Sequence, residues 1–205
     1  SHDGVKVPLV ILHRRGLALG GRNPTLMEGY GAYGTINTTP FFNPHLLPWL
    51  ERGGVYAIAG VRGGGEYGEA WHLAGKEATK PNTWKDFIAC AQYLVAEGFT
   101  RPEQLAGEGT SAGGLLICNA VVERPDLFAA AIVNVGLTNA LRMETTANGV
   151  PNIPEFGSHT TEDGFRALLA MDAYHKVAPG VPYPAVLFTH GIKEPRVDPW
   201  FSAKM

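Results

Sequence analysis

Short apolar runs alternate with helical patterns along most of this chain, and the alternation favours a mostly parallel β-sheet flanked by crossover helices. The 205 residues contain no repeat and no linker, so we expect one α/β domain spanning residues 1–205. The predicted strands are Val7–His13, Thr25–Tyr30, Gly54–Gly60, Leu105–Glu108, Ala129–Val135 and Ala185–His190. The predicted helices are Thr83–Glu97, capped by Thr83 and ended by Gly98, then Ala112–Glu123, and one that begins near Pro199.

Charge and composition exclude several classes of partner. The formal net charge is -2 and the sequence pI is about 6.4, which leaves no basic surface for nucleic acid or an anionic membrane. No apolar run reaches the roughly 18 residues of a membrane span. Cys90 and Cys118 both fall in predicted helices, so we expect two buried thiols rather than a disulfide. The compartment stays open, with the cytoplasm favoured over secretion.

One pentapeptide carries the strongest chemical signal. Gly109-Thr110-Ser111-Ala112-Gly113 fits G-x-S-x-G between a predicted strand and a predicted helix. Small flanking residues allow a sharp turn that lifts a serine hydroxyl above the sheet and aims the next backbone N–H, that of Ala112, at a developing oxyanion. A glycine-rich turn without chemistry is the alternative. The sequence shows no metal-ligand spacing and no phosphate-binding loop, so we expect neither a metal nor a cofactor.

Five segments, in this order, resemble the catalytic domain of the prolyl oligopeptidase family. They are Glu28–Tyr33, Val61–Glu69, Gly109–Gly114, Arg124–Phe128 and Pro195–Val197. The resemblance implies an α/β-hydrolase fold, here truncated at both ends, without the last strand and helix and without the β-propeller that usually precedes this domain.

The resemblance also implies roles for individual residues. Ser111 is the expected nucleophile, and Tyr30 matches the tyrosine that shares the oxyanion hole with the amide of Ala112. Glu194 stands where the family has an aspartate as the acid of its triad, and nearby Asp198 is a substitute.

Three further positions bear on the substrate. Arg196 matches an arginine that contacts a peptide carbonyl, or else pairs with a neighbouring acid. Tyr33 matches one aromatic residue of the family's proline pocket, and Asn152 replaces another. We therefore do not expect a strong preference for proline.

The base of the triad is missing from its expected place, because the family's histidine follows the acid by a few tens of residues. His190, at the end of the last predicted strand, and His159, in a proline-rich segment, are the replacement candidates, whereas His72 is expected to pack under a glycine-rich turn. Without a base, the site would cleave esters better than amides, because an alkoxide needs less protonation than an amine.

The predicted function is a serine hydrolase that cleaves esters of short acyl chains, and short peptides, through an acyl-enzyme on Ser111. The alternative is a catalytically silent fragment of a peptidase that lacks its histidine. The expected partners are a small ester or a short peptide, and a second copy of the chain, paired along the exposed edge of the strand Ala185–His190.

Overall fold

The computed structural model describes residues 1–39 and 43–205, which form a mostly parallel sheet flanked by helices. The strands are β1 (Leu9–Leu12), β2 (Thr25–Gly29), β3 (Val55–Ala59), β4 (Leu105–Thr110), β5 (Ala130–Asn134) and β6 (Ala185–Thr189). Their order across the sheet is β1-β3-β2-β4-β5-β6, and only the β1–β3 pairing in this sheet is antiparallel. The α/β prediction is confirmed, with each predicted strand found within two residues of its expected bounds.

The helices of the described residues are mostly short. The α-helices are α1 (Leu47–Glu51), α2 (Glu69–Leu73), α3 (Pro81–Ala96), α4 (Ala112–Glu123), α5 (Ala140–Met143), α6 (Ile153–Phe156), α7 (Glu162–Met171), α8 (Ala173–Lys176) and α9 (Trp200–Lys204). Single 3-10 turns occupy Pro44–Leu46, Glu77–Thr79, Pro102–Gln104, Pro125–Leu127 and Val150–Asn152. The two long helices α3 and α4 contact each other and the central strands. They therefore form one wall of the core.

The core explains why a glycine ends β2. Phe87 of α3 is fully buried and stacks on Phe128 with 6.1 Å between the ring centroids. A Cβ atom on Gly29 would lie 2.8 Å from the Phe87 ring. A larger residue there would push α3 away from the sheet, and dense packing makes such a shift costly.

The predicted cap of α3 is wrong. The helix begins at Pro81, two residues before Thr83, with Lys80 at the N-cap position. Proline suits the first turn because its ring fixes a helical φ and its missing N–H is not needed there. The Thr83 hydroxyl instead donates to the carbonyl of Arg62 at 2.7 Å, inside the protein. The predicted end is confirmed, since Gly98 follows the helix with φ of 74°.

Parallel strands place the residues that follow them at one edge of the sheet. β2 pairs with both β3 and β4, and β5 pairs with β4 and β6, all in parallel. Tyr30 therefore follows β2 at the same edge where Ser111 follows β4. This edge is where the candidate site lies.

The strand β6 is the edge strand of the sheet on the side opposite to β1. It pairs only with β5 among the described strands, and Leu187 is 57% exposed. The exposed edge that the sequence predicted is therefore present, while pairing of two chains along it stays a prediction.

The two cysteines are buried in helices α3 and α4 and form no disulfide. Burial raises the pKa of both the Cys90 and the Cys118 thiol to about 12. Thiols of this kind are chemically inert at neutral pH, because the thiolate is the reactive form. The prediction of two buried thiols is confirmed.

Candidate active site

Ser111 occupies a strained elbow between β4 and α4. Its φ is 59° and its ψ is -116°, a backbone conformation that residues with a Cβ rarely adopt. The serine N–H donates to the carbonyl of Asn134 at 2.9 Å, and its carbonyl accepts from Gly114 at 2.9 Å and from Leu137 at 3.1 Å. These bonds hold the strained backbone in place, which is the arrangement that the G-x-S-x-G motif predicts.

The elbow requires close contact between backbones. A Cβ atom on Gly109 would lie 2.3 Å from the carbonyl oxygen of Gly113, and one on Gly113 would lie 2.5 Å from the carbonyl oxygen of Gly29. Both distances are far below a normal carbon–oxygen contact. The glycines of the motif therefore let α4 start directly beside the ends of β2 and β4.

The Tyr30 hydroxyl lies within hydrogen-bonding reach of the Ser111 side chain. Burial raises the pKa of the Tyr30 phenol, while the positive charge of Arg196 and hydrogen bonding to Ser111 oppose this rise. Tyr30 therefore stays a neutral hydroxyl, which can donate a hydrogen bond to a developing oxyanion.

A cavity of about 260 Å³ opens in front of Ser111. Six predicted site residues line it: Tyr30, Tyr33, Ser111, Ala112, Asn152 and Arg196. Six further residues complete the lining, and the sequence predicted a role in the site for none of them: Leu137, Met143, Thr146, Asn148, Val197 and Phe201. The structure thus brings together the proposed nucleophile, both candidate oxyanion donors and the three substrate-contact candidates.

Two contacts shape the wall of this cavity around Tyr33. The ring of Tyr33 meets the edge of Phe156 with 5.8 Å between the centroids, and its hydroxyl donates to Oδ1 of Asn152 at 2.7 Å. Burial also raises the pKa of the Tyr33 phenol, as do neighbouring Tyr30 and Glu155. The wall therefore presents neutral polar groups on an aromatic support.

His190 does not occupy the position of a general base. Its Nε2 lies 2.6 Å from the carbonyl oxygen of Val197 and its Nδ1 lies 2.8 Å from the hydroxyl of Ser202. A carbonyl only accepts, so Nε2 must carry the proton and Nδ1 accepts from Ser202. No lone pair remains to take a proton from Ser111, and His190 does not line the cavity.

His159 and His72 are also held away from Ser111 by carboxylates. Nδ1 of His159 pairs with Glu144 at 2.7 Å on the surface, and Nε2 of His72 pairs with the buried Glu155 at 2.7 Å. Neither imidazole lines the cavity. His72 packs beside Gly34, in the glycine-rich turn, as its sequence context predicts. All seven histidines of the chain lie in the described residues, and none of them lines this cavity.

The two candidate acids have no histidine partner either. Oε1 of Glu194 accepts from the backbone N–H of Arg196 at 3.0 Å and lies 3.8 Å from its guanidinium. Asp198 accepts from the indole N–H of Trp200 at 3.0 Å. The structure therefore places Glu194 as a loop acid beside Arg196, and a triad geometry is not formed by these residues.

The cavity wall is uncharged apart from one side chain. Arg196 is the single charged residue among those that line the cavity in the described part of the chain, and its side chain is 72% exposed. Because its ion pair with Glu194 is long and solvated, the pair contributes little to stability. The guanidinium is therefore free to approach a carbonyl of a substrate at the cavity mouth.

The described ranges contain neither a candidate metal-ligand group nor a candidate membrane-spanning helix. No group of three or more His, Cys, Asp or Glu residues there is arranged to hold a metal ion. Within the same residues, no helix combines the length and the apolar composition needed to cross a bilayer.

A serine at a strained strand–helix elbow of a mostly parallel sheet, with a tyrosine hydroxyl beside it, defines an α/β-hydrolase. The family model for the prolyl oligopeptidase family matches residues 40–205. The chain belongs to the prolyl oligopeptidase family.

Relatives and solved structures agree with this assignment. The chain is 38% identical over 207 residues to a prolyl endopeptidase of Elizabethkingia meningoseptica, covering 100% of this chain and 29% of that protein. It superimposes with a TM-score of 0.97 on a prolyl endopeptidase structure, at 44% identity, covering 100% of this chain and 30% of that one. Prolyl oligopeptidase B from Galerina marginata gives a TM-score of 0.95 at 35% identity, covering 100% of this chain and 29% of that one. The chain therefore spans less than a third of the length of these relatives.

Proposed function

We propose that this chain carries the acyl-transfer site of a serine peptidase, which acts on short peptides and on esters of short acyl chains. The observation that supports this most directly is the arrangement at one cavity of Ser111, the amide of Ala112 and the phenol of Tyr30. Serine hydrolases use such donors to stabilise the oxyanion that forms on the substrate.

The proposed reaction has two steps. Oγ of Ser111 bonds to the carbonyl carbon of the substrate, its proton passes to the leaving group, and the carbon–nitrogen or carbon–oxygen bond breaks. Water then attacks the acyl-enzyme, which releases the acid and restores the hydroxyl. The amide of Ala112 and the phenol of Tyr30 donate to the carbonyl oxygen as negative charge develops on it.

The lack of an imidazole at the cavity supports a preference for activated esters within this chain. An unassisted serine is a weak nucleophile, and an amine leaving group needs a proton that no histidine supplies here. An oxyanion hole and substrate binding alone leave a residual acceleration of roughly a thousandfold over water. Ester cleavage is thus the activity for which the 205 residues are best suited.

The same observation favours a second candidate, a catalytically silent domain that keeps the fold and the cavity. Hydrolysis of p-nitrophenyl butyrate by the wild type and by Ser111→Ala separates the two. A matched control is Ser158→Ala, because Ser158 bonds to Glu144 and does not line the cavity. We expect Ser111→Ala to lose the activity above background and Ser158→Ala to keep it. Equal rates in all three proteins would support the silent domain.

We further propose that the site does not require proline. By resemblance, Asn152 stands where the family has a ring that stacks on proline, and in this chain the Asn152 carboxamide lines the cavity instead. Comparing p-nitroanilides of proline and of alanine tests this, and a hundredfold excess for proline would contradict it.

Self-association through β6 is part of the same proposal. Val186 and Leu187 are 38% and 57% exposed on a strand with one free edge among the described residues. Such edges readily pair with another strand. Sedimentation at micromolar concentration is expected to show a dimer, and a monomer at all concentrations would refute this part.

A further inference from the structure

A lysine without exposed surface lies directly behind the cavity wall. Lys80 is 0% exposed, and its Nζ donates to the carbonyl oxygen of Gly31 at 2.7 Å and to Oε1 of Glu155 at 3.1 Å. The ammonium also lies 5.2 Å from the ring centroid of Phe156. Burial lowers the pKa of Lys80 to about 8, although the carboxylate of Glu155 opposes that shift.

The partner carboxylate connects three separate segments of the chain. Glu155, in α6, is 4% exposed. One of its oxygens pairs with Lys80 before α3, and the other pairs with His72 of α2 at 2.7 Å. Buried ion pairs of this kind seldom add net stability over an apolar pair of similar size, because both charges lose their hydration. A buried pair can instead hold the segments that it joins in one geometry.

The geometry that this pair fixes is that of the proposed oxyanion donor. Gly31 directly follows Tyr30, and its φ of 65° turns its carbonyl towards Lys80. A Cβ atom on Gly31 would lie 2.4 Å from Thr83 and 2.6 Å from Val61, so the turn is pressed against α3. The hydrogen bond from Lys80 therefore holds the turn at Gly31, the residue next to Tyr30, whose phenol faces Ser111.

The other end of the pair reaches a second segment that lines the cavity. Glu155 lies three residues after Asn152, which lines the cavity and accepts from the Tyr33 hydroxyl. The next residue, Phe156, supports the Tyr33 ring. Lys80 and Glu155 thus join the turn that carries Tyr30 to the segment that carries Asn152.

We propose that the buried Lys80–Glu155 pair is a positioning device that holds the Tyr30 hydroxyl in line with the oxyanion formed at Ser111. The inference rests on the proposed function, since it concerns the transition state of acyl transfer. Neither residue touches the substrate, so both act through Tyr30. The physical basis is that a donor displaced by a fraction of an ångström loses much of its effect on a developing charge.

The test is a double-mutant cycle between the ion pair and Tyr30, measured on p-nitrophenyl butyrate with the full 205-residue chain. Lys80→Met with Glu155→Leu replaces the pair by apolar side chains of similar size. We expect kcat to fall about tenfold with little change in KM, because only a transition-state contact is weakened. In a Tyr30→Phe background the same replacement should leave kcat nearly unchanged.

The outcome of this cycle distinguishes a positioning role of the ion pair from a purely structural one. An equal loss of kcat with and without the Tyr30 hydroxyl would mean that the pair has only a structural role, and would overturn the proposal. If the apolar pair does not fold, Glu155→Gln carries the same cycle, because glutamine keeps the shape and the acceptor for Lys80. Its smaller loss of kcat should also disappear in the Tyr30→Phe background, and additive losses would again overturn the proposal.

Two controls separate this proposal from the function on which it rests. Lys176→Met removes another poorly exposed lysine, which bonds to Asn119 and lies outside the cavity. It should leave kcat unchanged. Ser111→Ala tests the chemistry itself: if it leaves the rate unchanged, the proposed function fails and this inference fails with it. Loss of activity in Ser111→Ala but full activity in the apolar pair would refute the positioning role alone.

Discussion

Tyr33 and Asn152, which are 119 positions apart in the sequence, are joined by a hydrogen bond of 2.7 Å from the phenol to the side-chain amide oxygen. The Asn152 amide nitrogen in turn donates to the carbonyl of Asn148 at 2.6 Å. These two bonds fix the orientation of the carboxamide, because they engage both its oxygen and its nitrogen. The cavity wall is therefore polar and fixed at this point.

Replacing this carboxamide by an aromatic ring should create a preference for proline. In Asn152→Trp an indole would face the cavity, and a pyrrolidine ring packs well on an aromatic face. We expect the ratio of kcat/KM for proline over alanine substrates to rise about tenfold. Asn148→Ala, which changes a neighbouring lining residue without adding a ring, is the control. A ratio that does not change would show that position 152 does not contact the substrate side chain.

Removing the Tyr30 hydroxyl should slow the chemical step. Tyr30→Phe keeps the ring packed but deletes the donor beside Ser111, so we expect kcat to fall about a hundredfold with KM little changed. Tyr67→Phe deletes an equivalent hydroxyl from an exposed ring outside the cavity and should have no effect. A loss confined to KM would argue that Tyr30 binds the ground state instead.

A single methyl group at the elbow should destabilise the fold. Gly113→Ala would place a carbon 2.5 Å from the backbone oxygen of Gly29, and neither backbone yields without moving β2 or α4. We expect the free energy of unfolding to fall by about 1–3 kcal/mol in denaturant titrations. Gly20→Ala is the matched control, since nothing lies within 4 Å of its added carbon. Similar stability of the two variants would contradict the close contact at the elbow.

Stability should depend on pH through Lys176. Burial lowers the pKa of its ammonium to about 8 in the folded chain, whereas unfolded chains titrate near the ordinary value of about 10.4. Between these values the unfolded state binds more protons, so the contribution of Lys176 to the free energy of unfolding rises with pH. This contribution is fully present above the pKa of Lys176 in the unfolded chain. It is lost as the pH falls through the pKa of Lys176 in the folded chain.

The measurement compares the wild type with Lys176→Met at about pH 7.5 and about pH 9.5. The difference in the free energy of unfolding should move in favour of the wild type at the higher pH. Lys193→Met, which removes a charge from an exposed lysine, controls for the change in net charge. A difference that stays constant, or that moves the other way, would refute the prediction.

The sequence predicted best what depends on neighbouring residues. The elbow at Ser111 follows from a pentapeptide between an apolar strand and a helix, and the helix Ala112–Glu123 was predicted to the residue. The α3 start was misplaced because two N-terminal signals compete there. Thr83 offers a capping hydroxyl, but Pro81 fits the first turn, and the buried carbonyl of Arg62 takes that hydroxyl instead.

The partners of buried charges were not predictable in the same way. Lys80 and Glu155 are 75 positions apart, and nothing in the residues around Lys80 distinguishes it from a surface lysine. A glutamate between apolar residues in Ile153–Phe156 was the available signal that one charge is buried there. Likewise, His190 sits at the expected edge of the sheet, but only the fold shows that Ser202 and Val197 take both of its nitrogens.

The strained backbone of Ser111 is anchored to the end of β5, not only to its own strand and helix. The strand β5 is followed by Val135, a β-branched residue that also has a positive φ, of 45°, and whose N–H donates to Thr189 of β6. One residue with a positive φ therefore follows each of the two adjacent strands β4 and β5, and each of these residues donates its N–H to the neighbouring strand. Val135 does not line the cavity, but substitutions there should still shift the hydroxyl of Ser111, because Asn134, the residue before it, accepts the hydrogen bond from the backbone N–H of Ser111.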